Sequence, residues 1–344
     1  MPSRIEELKA RQRNRGRRAR APTAIPWRGW RDILYRLFIG FGEDRILLTA
    51  AGVSFFMLFA MVPSLSLFVS SYGLLNDPAG VVEQLNLLEG FVPSGGLDLI
   101  REQLVRLTSQ DTGSLGLALL ISFAVALWGA SAGVKALFDA MNIVYGETEK
   151  RNFIAVNILA LAFVGGALVL LVLMLTVVLV VPAVLQLLTL GRYEWLVRVG
   201  AYGVMMLSLL AALSAIYRWG PSRAEADWRW ITPGSFFSTI GIMAMSAGFS
   251  WYAANFSNYN ATYGSLGALI GFLTWIWLSV TILILGGALN SEIEHQTTVD
   301  STTGKPQPMG ARGAYVADTI GSRWPAESGD DTKEPPASED VARR

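Results

Sequence analysis

Lys135, Asp139, Asn142 and Tyr145 recur at spacings of four, three and three in the stretch WGASAGVKALFDAMNIVYGETEKR. On a helix these positions fall along one side, and Lys135 and Asp139 are close enough to pair. Two chemistries suit such a stripe. One is a neutralised pair whose lysine reaches the inner membrane interface along its alkyl stem. The other is a cytoplasm-facing site in which the Lys135 ammonium meets an anion, because polar groups inside a membrane mark either packing or a pathway. A second polar group lies near the C-terminal end of the apolar region, in NYNATYGSLGALIG. Asn255, Asn258, Tyr259 and Tyr263 offer amides and phenols, which hydrogen-bond to water and headgroups without the desolvation cost of full charge. They read as a tight outer hairpin or as the lining of an outer vestibule. Asn290 then approaches the opposite face.

Other chemistries are excluded by composition. The chain has no cysteine and one histidine, His295, so thiolate metal sites and multi-histidine hydrolase centres have no ligands to use. No metal site, cofactor or catalytic residue is expected, and the chain reads as a non-enzyme. Ribonuclease chemistry needs acid–base groups or metal ligands outside a bilayer, and no such set stands out. A phosphate-binding ATPase loop is also missing from the sequence.

The elements that must position the stripe are membrane helices. Of 344 residues, 52% are hydrophobic and 16% charged, against roughly 25% charged in soluble domains. Apolar runs of about 20 residues indicate transmembrane helices. Six are predicted, at about 46–72, 114–137, 153–181, 195–217, 232–255 and 263–290, giving an all-α integral membrane protein. Residues 1–45 hold twelve Lys and Arg, and the basic counts of successive connections alternate high and low. That alternation places both termini of a multi-pass membrane protein in the cytoplasm.

Residues 1–26 read as a basic, disordered cytoplasmic tail that touches anionic lipid rather than nucleic acid. Residues 27–295 form the membrane domain. Residues 296–344, without periodicity, read as a second disordered cytoplasmic tail. Between them, 27–45 reads as an interfacial helix with Ile33, Leu34, Leu37, Phe38 and Phe41 on its apolar face. Two short amphipathic helices are expected between spans one and two. Pro63 predicts a kink in span one, and Thr232-Pro233-Gly234 reads as the start of span five. Gly129 and Gly133, Gly241 and Gly248, and Gly264, Gly267 and Gly271 predict close helix packing.

The order of these elements resembles the YihY/BrkB family of bacterial inner-membrane proteins, once labelled ribonuclease BN. The resemblance covers roughly 30–295. It rests on TAAGVSFFMLFAMVPSLSLF, on LWGASAGVKALFDAMNIVYGETEKRNF, and on the run from Ile231 to His295 that contains YGSLG and GGALNSE. Span one departs from the family's Ala-Tyr-Tyr with Ser54-Phe55-Phe56. The resemblance implies a six-helix fold without a settled activity, some of whose members are linked to serum resistance and outer-membrane lipid export. The combined expectation is a transporter or exporter of a lipid-like anion, with the bilayer as its setting and a second copy of the chain or an envelope protein as its partner. A non-transporting envelope scaffold or assembly partner is the alternative.

Overall fold

The computed structural model describes residues 15–73, 115–187, 194–256 and 265–323. Its helices are α1 (Trp27–Glu43), α2 (Ile46–Gly73), α3 (Leu115–Val144), α4 (Phe153–Leu187), α5 (Glu194–Trp219), α6 (Trp228–Phe256), α7 (Ser265–Glu294) and the short α8 (Tyr315–Asp318). No strand occurs among the described residues; one isolated bridge joins Ala226 to Thr302. The amphipathic stretches predicted within 73–113 lie outside the described residues.

Among the described residues, four helices contain segments long and apolar enough to cross a membrane: Phe123–Val144, Phe153–Val177, Glu194–Trp219 and Leu269–Glu294. The pair α1 and α2, bent by 61°, makes a fifth if read as one broken span. The bend falls at Asp44 and Arg45, where Arg45 adopts a positive φ of 50°. Helix α6, the predicted fifth span, is long enough but carries many hydroxyls. Several of these, on Ser235, Ser238 and Thr239, are buried, so its mean hydropathy understates how well it suits an apolar interior.

Helix α7 is the hub, packed against α6, α2, α1, α3 and α8, while contacts α2–α3, α3–α4, α4–α5 and α5–α6 complete a circuit. The core lies where these helices converge, around Ile46, Met141, Tyr217, Ile231 and Ile284. Outward, α4 and α5 expose Leu168, Val169, Val172, Val199 and Leu207. A continuous apolar surface of this kind requires lipid or protein against it.

Hydroxyls and glycines draw α5, α6 and α7 together. Tyr217 Oη donates to the Leu283 carbonyl at 2.7 Å, Ser238 lies 2.7 Å from the same phenol, and Ser214 donates to Ser235 at 2.8 Å. Gly286 sits at the centre: a Cβ there would fall on Ser238 Oγ, 2.6 Å from Tyr217 Oη and 2.7 Å from the Gly234 carbonyl. Gly286→Ala should therefore force α6 and α7 apart at a cost of about 1–3 kcal/mol. A thermal melt matching the parent in detergent would refute this close packing.

Helix α3 extends well beyond the predicted end of span two. It stops at a glycine-terminated cap: Gly146 has φ +64°, its N–H bonds Ile143 O at 3.0 Å, and Glu147 N–H bonds Asn142 O at 2.8 Å. This is the pattern that satisfies free carbonyls at a helix end.

Helix α1 turns its polar side inward. Gly29, Asp32, Ile33 and Arg36 are buried, while Trp27, Leu34 and Phe38 are exposed. The predicted apolar face is thus split, with Ile33 packed inside and Leu34 and Phe38 facing out.

Candidate functional site

The four residues of the stripe share a helix but separate into different surroundings. Lys135 Nζ donates to Asn157 Oδ1 of α4 at 3.1 Å, so it meets an amide rather than the Asp139 carboxylate expected from the spacing. Asp139 is exposed and Tyr145 fully buried. Asn142 is also buried; its Oδ1 accepts from Ser222 N–H at 2.7 Å and its Nδ2 donates to Glu149 at 3.3 Å. It joins the connection after α3 to the connection after α5.

Asn290 has an equally specific task. Helix α6 begins at Trp228 rather than at the predicted Thr232, which places Pro233 inside the helix. Proline lacks the N–H of the helical ladder and crowds the carbonyl one turn back. Across the interface, Asn290 Oδ1 accepts from Gly234 N–H at 2.7 Å and Asn290 Nδ2 donates to Ile231 O at 2.9 Å. One buried amide thus bridges the backbone on both sides of the proline.

Asn255 lies in the last turn of α6. Asn258, Tyr259, Tyr263 and Gly264 fall outside the described residues, and Pro63 falls within α2. A Cβ at Gly129 would meet Ala60 Cα at 3.1 Å, one at Gly133 would meet the backbone of Met57 at 3.7 Å, and one at Gly241 would meet Ile282 at 2.8 Å. Gly267 is buried. Gly248 and Gly271 depart from the packing expectation, because a Cβ at either meets nothing within 4 Å. Gly248 is exposed on the outer side of α6.

Both tails depart from the expected disorder in their described parts. Arg17 is buried and donates to His295 O, Gln296 O and Gly321 O. Arg15 pairs with Asp32 at 2.8 Å. Arg36 pairs with Glu292 and donates to Glu292 O, Gln296 Oε1 and Ser322 O. The guanidinium groups of Arg17 and Arg36 cover carbonyls at the C-terminal end of α7, where cations are favoured by the helix dipole. Residues 297–323 fold around Arg312, which donates to Gln307 O, Ala317 O and Thr298 O, and around Asp318, which accepts from three backbone N–H groups.

His295 belongs to this assembly, with its Nε2 2.9 Å from Thr319 Oγ1. Burial, followed by the charges of Arg36 and Arg17, pushes its pKa down from 6.5 to about 3. An unfolded chain takes up a proton near 6.5 that the folded chain refuses. Stability present above that pH is therefore lost as pH falls toward 3. His295→Gln should flatten the decline of thermal stability between about pH 6 and 4; an unchanged slope would mean the imidazole is not held neutral.

Two cavities adjoin, the smaller at this end of the bundle and the larger running from it along the helices. The larger, about 630 Å³, lies among α4, α5 and α7 and is walled almost wholly by apolar groups, including Phe163, Gly166, Ala212, Leu213, Trp275 and Val280. The smaller, about 380 Å³, is lined by Lys150, Arg151, Arg218, Ser222, Arg223 and Glu225, among others. Leu159 and Trp219 line both. Around the smaller one, Lys150 pairs with Glu147, Arg151 with Glu149, Arg218 with Glu225 and Arg223 with Glu294. Hydrogen bonds from Arg151 hold the Glu149 carboxyl down at about 2. Lys135, Asp139 and Asn290 line neither cavity.

Sequence reasoning passed over Arg151, Arg218 and Arg223, counting them only as topology signals. A usable signal is RWGPSR, in which two arginines flank a Gly-Pro turn at the end of an apolar run.

A family model described as virulence factor BrkB matches residues 37–310. The chain is 30% identical over 250 residues to a Bacillus subtilis (strain 168) protein named putative ribonuclease-like protein YfkH, covering 70% of this chain and 88% of that one. It is 27% identical over 291 residues to UPF0761 membrane protein Mpe_A1422 of Methylibium petroleiphilum, covering 78% of this chain and 64% of that longer one. No solved structure matches. With one family's pattern running through most of its length, from α1 into the folded segment beyond α7, the chain belongs to the BrkB virulence factor family of membrane proteins.

Proposed function

We propose that this protein moves a lipid-like, anionic amphipathic molecule across or out of the bacterial inner membrane. The observation that carries the reading is the apolar cavity among α4, α5 and α7. Its volume of about 630 Å³ falls within the range of ligand sites, roughly 300–1,000 Å³. Its walls suit hydrocarbon, and two of its three main helices expose apolar side chains on their outer faces.

Six spans supply the frame of this proposal: α2 to α7 cross the membrane and α1 lies along the inner interface with Trp27, Leu34 and Phe38 toward lipid. Several connections and both described tail segments meet at one end of the bundle, which is the arrangement expected of a chain whose termini are both cytoplasmic. The same shape of protein could serve as an envelope scaffold, and the test separates the two.

The test is leaflet exchange of a labelled anionic phospholipid in proteoliposomes. Gly166 lines the cavity, and a Cβ there meets nothing within 4 Å, so Gly166→Trp should fill the space without disrupting the fold. Exchange is expected in the parent and should fall at least tenfold in Gly166→Trp. No exchange by folded parent protein would reject transport of such lipids and favour the scaffold. Lys135→Ala in the same assay asks whether the stripe on α3 takes part. Lost exchange keeps it on the path; full activity leaves the path to the α4–α5–α7 cavity.

A further inference from the structure

The smaller cavity has the chemistry to recognise what the larger one leaves outside. Arg218 is nine-tenths buried, with its guanidinium 4.6 Å from the Trp228 ring centroid and 5.8 Å from that of Trp219. Such faces hold a guanidinium by cation–π attraction while leaving its edge available for hydrogen bonds. Its Nη1 donates to Ala226 O at 2.5 Å and its Nη2 to Glu225 at 2.8 Å. Its Nε, though buried, has no hydrogen-bond partner, and the same holds for Nη1 of Arg223. Both residues line the smaller cavity. A buried donor left unsatisfied on a cation is costly, and the cavity's lining, with Lys150, Arg151, Arg218 and Arg223 against Glu225, carries a positive balance that suits an anion.

The ion pairs around this cavity differ in how readily they would yield. Arg223 and Glu294 are closed in, with side chains 1% and 0% exposed. The Glu225 side chain, by contrast, is 48% exposed, and half-exposed pairs are worth little. Glu225 is therefore the acid that an incoming anion would replace at Arg218. Arg151 supplies a further guanidinium on the wall, anchored through Trp219 O and Gly220 O. The apolar cavity begins at the shared residues Leu159 and Trp219.

We propose that the cavity walled by Arg151, Arg218 and Arg223 receives the phosphate of an anionic phospholipid whose chains lie in the adjoining apolar cavity. Charge complementarity selects the headgroup, and the shared wall fixes the order of parts: phosphate at the polar end, hydrocarbon between the helices. Glu225 keeps Arg218 occupied until the headgroup arrives. The assignment rests on the lipid reading above but concerns binding, which is measurable without transport.

The test is native mass spectrometry of the full chain in detergent, titrated with phosphatidylglycerol, with diacylglycerol, and with soluble glycerol phosphate. Phosphatidylglycerol should bind best, and glycerol phosphate, lacking chains, much more weakly. Arg218→Gln should weaken phosphatidylglycerol at least tenfold while leaving diacylglycerol unchanged. Glu225→Gln, which removes only a half-exposed pair, should tighten it severalfold and serves if Arg218→Gln does not fold. Parent-like affinity in the variants would overturn the headgroup site. An equal loss for diacylglycerol would also overturn it, by placing the effect in the apolar cavity. Tight binding of glycerol phosphate would make this a site for soluble phosphate and overturn the lipid assignment. Arg218-dependent binding without leaflet exchange would uphold the site and reject transport. Exchange with Arg218-independent binding would do the reverse.

Discussion

Glu294→Ala should destabilise the protein by about 3–5 kcal/mol, because it strands a buried guanidinium. Arg223 and Glu294 meet at 2.7 Å with side chains 1% and 0% exposed. Ser301 donates to the same carboxylate oxygen at 2.8 Å, and the Arg223 guanidinium lies 5.0 Å from the Tyr145 ring centroid. Taking away either charge leaves the other in surroundings that cannot solvate it. Arg223→Met together with Glu294→Met should cost less than either single loss, since neither charge then remains. Thermal unfolding in detergent would check this. A double variant as unstable as the sum of the two singles would mean that the groups act independently and that this reasoning fails.

Asn290→Ala is the second large effect. Asn290 is fully buried, and its side chain bonds both Gly234 N–H and Ile231 O. Ile231 O retains the Ser235 hydroxyl, so the main loss falls on the Gly234 N–H. With the void left by the amide, a cost of about 2–4 kcal/mol is expected. Pro233→Ala should recover part of that loss by letting α6 regularise its own ladder, a coupling that a double-mutant cycle measures. Strict additivity of the two changes would show that Asn290 does not compensate for the proline.

The helices were legible because lipid and core both demand apolar side chains over a fixed length. The polar contacts were less so. Spacing put Lys135 and Asp139 on one stretch of α3, but the Asn157 amide that meets Lys135 comes from another helix, twenty-two residues on. Asn290 read as a polar residue nearing the membrane face; its use depends on Pro233 lying opposite, which is tertiary information. The segment beyond α7 looked unstructured because it is held by Arg312 and Asp318 bonding to backbone groups, and such folding leaves no hydrophobic period. Arg17 looked solvated for the same reason, since composition does not show carbonyls. In α1 the apolar pattern revealed a helix but not its orientation, because its polar side docks onto protein through Arg36 and Asp32.

The arginine contacts at the end of α7 also impose an order on biosynthesis. Arg17 donates to the carbonyl of Gly321, 304 residues later, and Arg36 to that of Ser322. While the chain is being made, those acceptors do not yet exist, and the helices between must already be placed before the two ends can meet. The final closure is thus a signature of a chain translated almost to its end. A chain cut short before residue 321 would leave Arg17 and Arg36 without these two acceptors, so its two ends would lack this clasp.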